Sequence, residues 1–321
     1  MLCGSAGQNG QVSSRLENRP ARGLAVIAAS AFSSQSGAAV GAQAFDTLTP
    51  VGVVAGRQLV ASLVMGLITR PRFWRYRRSQ WVPVVLLAIF FAGMNTLLYA
   101  AVARIGLGMA VTIEFLGPLA VALFFSRGAG RGIRGLICAV LAMTGVVLLA
   151  RPGPTSDFLG LSMALLAGVC WAGYIVTNRV VGRRVPGVEG TAVATMLSAA
   201  GMLPVEAVII WHFQPPWYAY VFALIAGVLS SAVPYTLDLI VLRHVSPVIF
   251  GLGMSLHPLF AAMIGAVFLH EDLPLLAWGG VLLVAAANAI ALFRPPDPGE
   301  SGSSYTEDRP GPDPAPRPGP Q

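Results

Sequence analysis

The sequence predicts an all-α membrane protein, with ten transmembrane helices arranged as two inverted five-helix repeats. Three observations carry this. Of 321 residues, 55% are hydrophobic and 11% charged, less than half the ~25% charge that clothes a soluble domain, and the mean hydropathy is +0.70. The apolar stretches are long and apolar all round, which excludes a strand barrel and leaves helices to satisfy the backbone in hydrocarbon. The stretch 23–293 holds about ten runs of the roughly 20 residues that a bilayer crossing takes, with no room for a separate soluble domain.

Taken in order, residues 1–22 are a polar, Gly/Ser-rich cytoplasmic N-terminus predicted to be disordered, with Arg15, Arg19 and Arg22 before the first apolar run. No small-residue cleavage site ends that run near residue 44, so it is expected to act as an uncleaved signal anchor. The predicted spans are 23–44, 50–70, 81–102, 106–125 and 133–150, then 159–182, 187–212, 217–243, 246–269 and 275–293. The first five make one repeat, 23–150, and the second five another, 159–293. Residues 294–321 are proline-rich, lack the N–H groups that helices need, and are predicted to be a disordered cytoplasmic tail.

Arginines orient the spans. With the N-terminus inside, the inner loops hold Arg70, Arg72, Arg75, Arg77, Arg78, Arg127, Arg131, Arg134, Arg183, Arg184 and Arg243, and the outer loops only Arg104 and Arg151. This bias places both termini in the cytoplasm, and the lysine-free composition, read as the codon bias of a GC-rich genome, makes a bacterial inner membrane the expected location. Trp74, Tyr76 and Trp81 on one side, and Trp211, Trp217 and Tyr218 on the other, suit the interfaces. The net charge of +7 is spread between spans and not clustered on a folded face, so nucleic acid is not an expected partner. The lipid bilayer is.

A loose internal repeat supports the two halves. Gly23-Leu24 opens the first span as Gly160-Leu161 opens the sixth. Tyr99, Arg104 and Pro118-Leu119 find counterparts in Tyr235, Arg243 and Pro258-Leu259. Five spans per half is odd, so the second half is inverted, an arrangement that places a substrate site at the midplane between repeats.

Polar groups inside spans are the functional candidates. Arg57 lies about 10 Å and Glu114 about 12 Å from the outer ends of their spans at 1.5 Å per residue. At matched depth, a structural salt bridge and a proton-carrying Glu114 poised by Arg57 both stay open. Asp238 shares a face with Tyr235 and Ser231; it is either neutralised by Arg179 or Arg243, or meets substrate. His257 sits about 16 Å into its span and just before Pro258, as a packed core imidazole or as a cavity group. Trp171, Tyr174 and Asn178 share one helical face, and Asn95 and Tyr99 another. Such aromatic-plus-amide faces suit packing or a small amphipathic solute. Ser33, Ser34, Gln35 and Ser36 cannot all face lipid. Glu206, after Pro204, has no evident partner, and Gly37-x-x-x-Gly41 reads as close helix packing. Cys138 and Cys170 read as small packing residues.

Enzyme signatures are missing from the sequence. His270-Glu271 begins a zinc-protease pattern, but position 274 is proline. Without lysine there is no phosphate-loop motif, so neither an ATP-driven pump nor any cofactor or metal is expected. An intramembrane lipid-modifying enzyme would want a nucleophile–base or metal cluster at one interface, and the sequence has none.

The stretches Ser34-Gln35-Ser36-Gly37-Ala38, Glu114-Phe115-x-Gly117-Pro118-Leu119, Cys170-Trp171-Ala172-x-Tyr174-Ile175, Pro234-Tyr235-x-Leu237-Asp238, Phe250-Gly251 and Met254-Ser255-Leu256-x-Pro258 resemble the EamA-type transporters of the drug/metabolite transporter superfamily. Within it they resemble the threonine/homoserine exporter branch. Glu114 matches the family's E-F-x-G-P glutamate. Asp238 stands where the family usually has glutamate, and His257 replaces the glutamate of its S-x-E-P pattern. The resemblance implies ten helices, inverted repeats and export of amino acids or related metabolites. The expectation is therefore proton antiport of a small-molecule substrate, with protons as co-partner. Ser33, Gln35, Asn95, Tyr99, Trp171, Tyr174, Tyr235 and His257 would line the cavity, and Arg57, Glu114 and Asp238 would carry charge. Efflux of cationic drugs is the alternative, and a homodimer stays open.

Overall fold

The computed structural model describes residues 20–125, 131–150, 157–185, 188–234, 237 and 253–292. Among these, all extended regular structure is helical. The elements are α1 Pro20–Ala42, α2 Phe45–Thr69, α3 Arg78–Ile105, α4 Leu107–Glu114, α5 Leu116–Phe125, α6 Arg131–Ala150, α7 Phe158–Arg184, α8 Glu189–Phe213, α9 Trp217–Gly227, α10 His257–Phe268 and α11 Leu275–Leu292. Among the described residues, six stretches are long and apolar enough to cross a membrane (23–42, 45–69, 78–105, 107–124, 158–184 and 189–213), and four shorter apolar helices accompany them. These outline a multi-pass membrane protein. Leucines, valines and isoleucines that would disgrace a soluble surface, such as Leu67, Ile133, Val208 and Leu275, point outward, where acyl chains replace water.

Local chemistry sets the breaks. In α2, Thr49 has φ 61° and ψ 157°, which divides the first turn from the main run. Pro50 then occupies the first helical position, where its missing N–H costs nothing, and Thr49 Oγ1 accepts from the Gly52 N–H at 3.4 Å. The long part of α2 thus begins where the sequence places its second span. Gly106, at φ +85°, turns the chain between α3 and α4 in a single residue, a conformation that glycine alone adopts cheaply. Pro118 lacks the N–H that would bond the Glu114 carbonyl, and the fourth predicted span accordingly parts into α4 and α5 at Phe115. At the far end of α9 the ladder widens into a π-helical turn, Val228–Ala232.

Two carboxylates fasten the loops. Asp157 caps α7 by accepting from the Gly160 N–H at 2.8 Å and pairs with Arg104 at 2.9 Å. The Gly160 N–H bond and the Arg104 guanidinium hold its carboxyl below the usual aspartate range. Glu271, between α10 and α11, accepts from the Leu107 and Gly108 N–H groups and so caps α4 from across the chain. Burial pushes its carboxyl up, and those two donors pull it back. Removing this acceptor strands two N–H groups at a helix start. Glu271→Ala is therefore expected to cost about 2 kcal/mol and Glu271→Gln less, read as apparent melting temperature in detergent.

The helices pack as α3 on α7, α6 on α11, α2 on α8 and α4 on α10. In addition α9 lies against α1 and α2, α10 against α1, α8 against α3, and α7 against both α4 and α5. Glycines permit the tightest approaches. A Cβ on Gly41 would meet Val53 and Ala226, and one on Gly37 the Ser230 side chain, so the glycine pair of α1 is a packing device. Cys138 is buried with Leu119, Ala142 and Ala287.

Candidate functional site

The central polar group is assembled from six helices. From α2, Arg57 Nη1 donates to the Tyr99 hydroxyl at 2.8 Å, its other terminal nitrogen donates to Asn95 Oδ1, and the guanidinium carbon stands 5.0 Å from the Tyr99 ring centroid. Asn95 and Tyr99, four apart on α3, are each 1% exposed. Asn95 spends its amide nitrogen on the Phe91 carbonyl at 2.7 Å, which aims its oxygen at Arg57.

Glu114 ends α4 and is 4% exposed. It points into the protein and lies within Coulombic range of Arg57. The salt bridge that matched depths left open is not formed: among the described residues, the ion pair within 4.0 Å is Arg104–Asp157. Arg57 is instead held by Tyr99 and Asn95. Next in the chain, Phe115 fills the α4–α5 break. Its ring lies 5.6 Å from His257 at 29°, stacked, and 4.6 Å from Trp171 of α7 at 86°, edge to face. His257 opens α10, and its Nδ1 hydrogen-bonds with Gln35 Nε2 of α1 at 3.1 Å. Tyr174, one turn after Trp171, meets Phe91 with centroids 5.9 Å apart.

The structure therefore forms two linked sets: Arg57 with Asn95 and Tyr99, within Coulombic range of Glu114, and Gln35 with His257, which Phe115 joins to Trp171, while Tyr174 packs on Phe91. Ser33 is placed otherwise. Its hydroxyl donates to the Leu229 carbonyl at 2.8 Å, while Ser230 donates to the Ser34 carbonyl at 3.1 Å, so this serine pair holds α1 to the π-helical turn. Asn178 accepts from Thr191 at 2.8 Å and ties α7 to α8. Tyr235 and Asp238 lie outside the described residues.

Sequence reasoning missed Phe115, although the Pro118 it did single out marks the break that turns this ring inward. It also missed Gln58, 1% exposed, which accepts from the Ser198 hydroxyl and whose amide nitrogen has no hydrogen-bond partner among the described residues. Its signal was a lone amide beside Arg57 in an apolar helix. Among the described residues, no three His, Cys, Asp or Glu side chains cluster as metal ligands.

Among the described residues the protein is a helical, lipid-facing bundle with charged and amide side chains inside, a build that membrane transporters for small molecules share. Residues 158–293 match the model of the EamA-like transporter family. Over 280 residues the chain is 32% identical to the threonine/homoserine exporter RhtA of Salmonella typhimurium, covering 85% of this chain and 93% of that one. The corresponding exporter RhtA of Escherichia coli is 30% identical, over 84% and 92% of the two chains. An uncharacterized transporter, YwfM of Bacillus subtilis, is 27% identical over 81% and 90%. A solved crystal structure, 19% identical, shares the fold at a TM-score of 0.60, covering 84% of this chain and 96% of that one. The chain belongs to the EamA-like transporter family.

Proposed function

We propose that the protein exports small amino acids, threonine and homoserine among them, in exchange for protons, with both termini in the cytoplasm of a bacterial inner membrane. The carrying observation is the buried carboxyl of Glu114, which faces the interior beside the Arg57–Asn95–Tyr99 group. A carboxyl at that depth must be neutral, paired or solvated by a cavity, and each of those states can alternate in a transport cycle. Arg57 would receive the substrate carboxylate. Gln35, Trp171, Tyr174 and His257, with Tyr235, would contact the remainder, and Ser33 would shape the α1 wall. Asp238 would be a second charged group.

Ten spans in two inverted repeats are part of this reading, and the packing supports it. Count α4–α5 as the fourth run, α6 as the fifth and α11 as the tenth. The pairing of three with six then mirrors eight with one, three with seven mirrors eight with two, and four with six mirrors nine with one. Two–seven, four–nine and five–ten pair with their own counterparts, as a twofold relating each run to the fifth after it demands.

Cells expressing the protein are expected to tolerate growth-inhibiting threonine or homoserine and to hold several-fold less of it inside, with unchanged sensitivity to cationic dyes. Protection against the dyes alone would transfer the reading to cationic drug efflux. Loss of accumulation in inverted vesicles on collapsing the pH gradient would test the proton.

A further inference from the structure

A second polar feature lies away from this group. A cleft of about 470 Å³ opens between α2, α8 and α9, lined by Gly56, Val60, Leu203, Ala207, Tyr220 and Leu224, with Glu206 among its lining residues. Glu206 is 8% exposed, and its buried Oε2 has no hydrogen-bond partner among the described residues. Among the described residues no basic group lies within 4.0 Å of it. Among the cleft's lining residues, Leu203, Ile210 and Leu224 are exposed apolar side chains of the kind that face acyl chains.

We propose that this cleft is a membrane-accessible binding site for a single-chain or aromatic amphiphile bearing a protonated amine, distinct from the amino-acid site. An unpaired carboxyl among apolar walls is satisfied by a ligand that carries its own cation and donor. Tyr220 of α9, also among the lining residues, brings an aromatic ring of the type that attracts cations, and a cleft of this volume suits a drug-sized molecule. Glu206 stands about 10 Å before the outer end of α8 at 1.5 Å per residue. A phospholipid headgroup amine, fixed at the interface, sits too shallow to reach it, whereas a free amine with one apolar tail can sink to that depth.

The test uses the full chain in phosphatidylcholine/phosphatidylglycerol nanodiscs and dansylated decylamine, with its N-acetylated neutral analogue as comparison. The amine is expected to bind the unsubstituted protein at least about tenfold more tightly than the acetylated analogue does. Glu206→Gln should remove that difference. Ala207→Phe, which fills the cleft without touching the carboxyl, should weaken both probes. Threonine efflux by either variant should stay near that of the unsubstituted protein, which separates this site from the transport reading and reports folding. Equal binding of the two probes, or amine binding indifferent to both substitutions, would overturn the proposal. Adding phosphatidylethanolamine should leave the affinity unchanged; competition by that lipid would reassign the cleft to a headgroup and overturn it as well.

Discussion

Glu114→Gln is expected to lower proton-driven threonine efflux by about tenfold or more, and to leave the residual rate flat across pH. Glutamine keeps the size of the side chain and its capacity to hydrogen-bond, but it carries neither charge nor a proton that can leave. Losing a charge-assisted interaction costs about 1.5–3 kcal/mol, which corresponds to that loss of rate or affinity at about 1.4 kcal/mol per factor of ten. Packing should survive, because Glu114 is 4% exposed in a wall whose neighbours, Phe115 and Trp171, hold each other edge to face. The measurement is radiolabelled threonine accumulation in inverted vesicles with an imposed pH gradient, over a series of pH values. Glu114→Asp keeps the charge one methylene further from Arg57 and should fall between. Wild-type rates with a wild-type pH profile in the glutamine variant would remove this carboxyl from the mechanism and leave it a buried structural group.

The sequence announced most of the helices because hydrocarbon leaves the backbone so few choices: a run apolar on every face has to be a helix. Its punctuation was legible for the same reason. Pro50 opens the long part of α2, Gly106 turns α3 into α4, and Pro118 parts α4 from α5, each through a backbone property that the residue type fixes by itself. Partners were harder. Depth arithmetic set Arg57 level with Glu114, but depth is one coordinate of three. Around the helix axis the guanidinium turns to Asn95 and Tyr99, which the i, i+4 spacing had already placed on one face of α3. Ser33 stood out as a polar residue in an apolar helix, yet its acceptor is the Leu229 carbonyl, at a π-helical turn that no hydrophobic period reveals. Glu271 drew attention only as half of a zinc motif that fails. Its work as the cap of α4 depends on a contact across more than half the chain. Phe115 was read as a neighbour of the glutamate and not as the ring that joins His257 to Trp171, because that contact needs α4, α7 and α10 to converge.

The largest loss of stability is expected from Gly168→Leu, in the middle of α7. Pro118 leaves the Glu114 carbonyl without its helical donor, and α7 approaches that carbonyl through Gly168: a Cβ there would lie 2.8 Å from Glu114 O and 3.4 Å from the Gly117 nitrogen. The approach is reciprocal, since a Cβ on Gly117 would run into the Gly168 carbonyl. These are backbone atoms with no rotamer to escape into, so the helices themselves must separate. Overpacking a core that can still repack costs about 1–3 kcal/mol. Wedging two backbones apart should exceed that and take a large share of a total of about 5–15 kcal/mol. Small residues at such contacts are what allow membrane helices to associate without a hydrophobic drive between them. Gly168→Ala should lower the apparent melting temperature, and Gly168→Leu should leave little monodisperse protein on size exclusion. Gly182→Leu, on the same helix where a Cβ meets nothing within 4 Å, should behave as the parent does, so helix propensity cannot account for the difference. Matching yields and melting temperatures for the leucine variants at 168 and 182 would mean that α5 and α7 do not meet backbone to backbone. The placement of Glu114 at the break between α4 and α5 would then lose its support, because the same contact fixes where that carboxyl enters the interior.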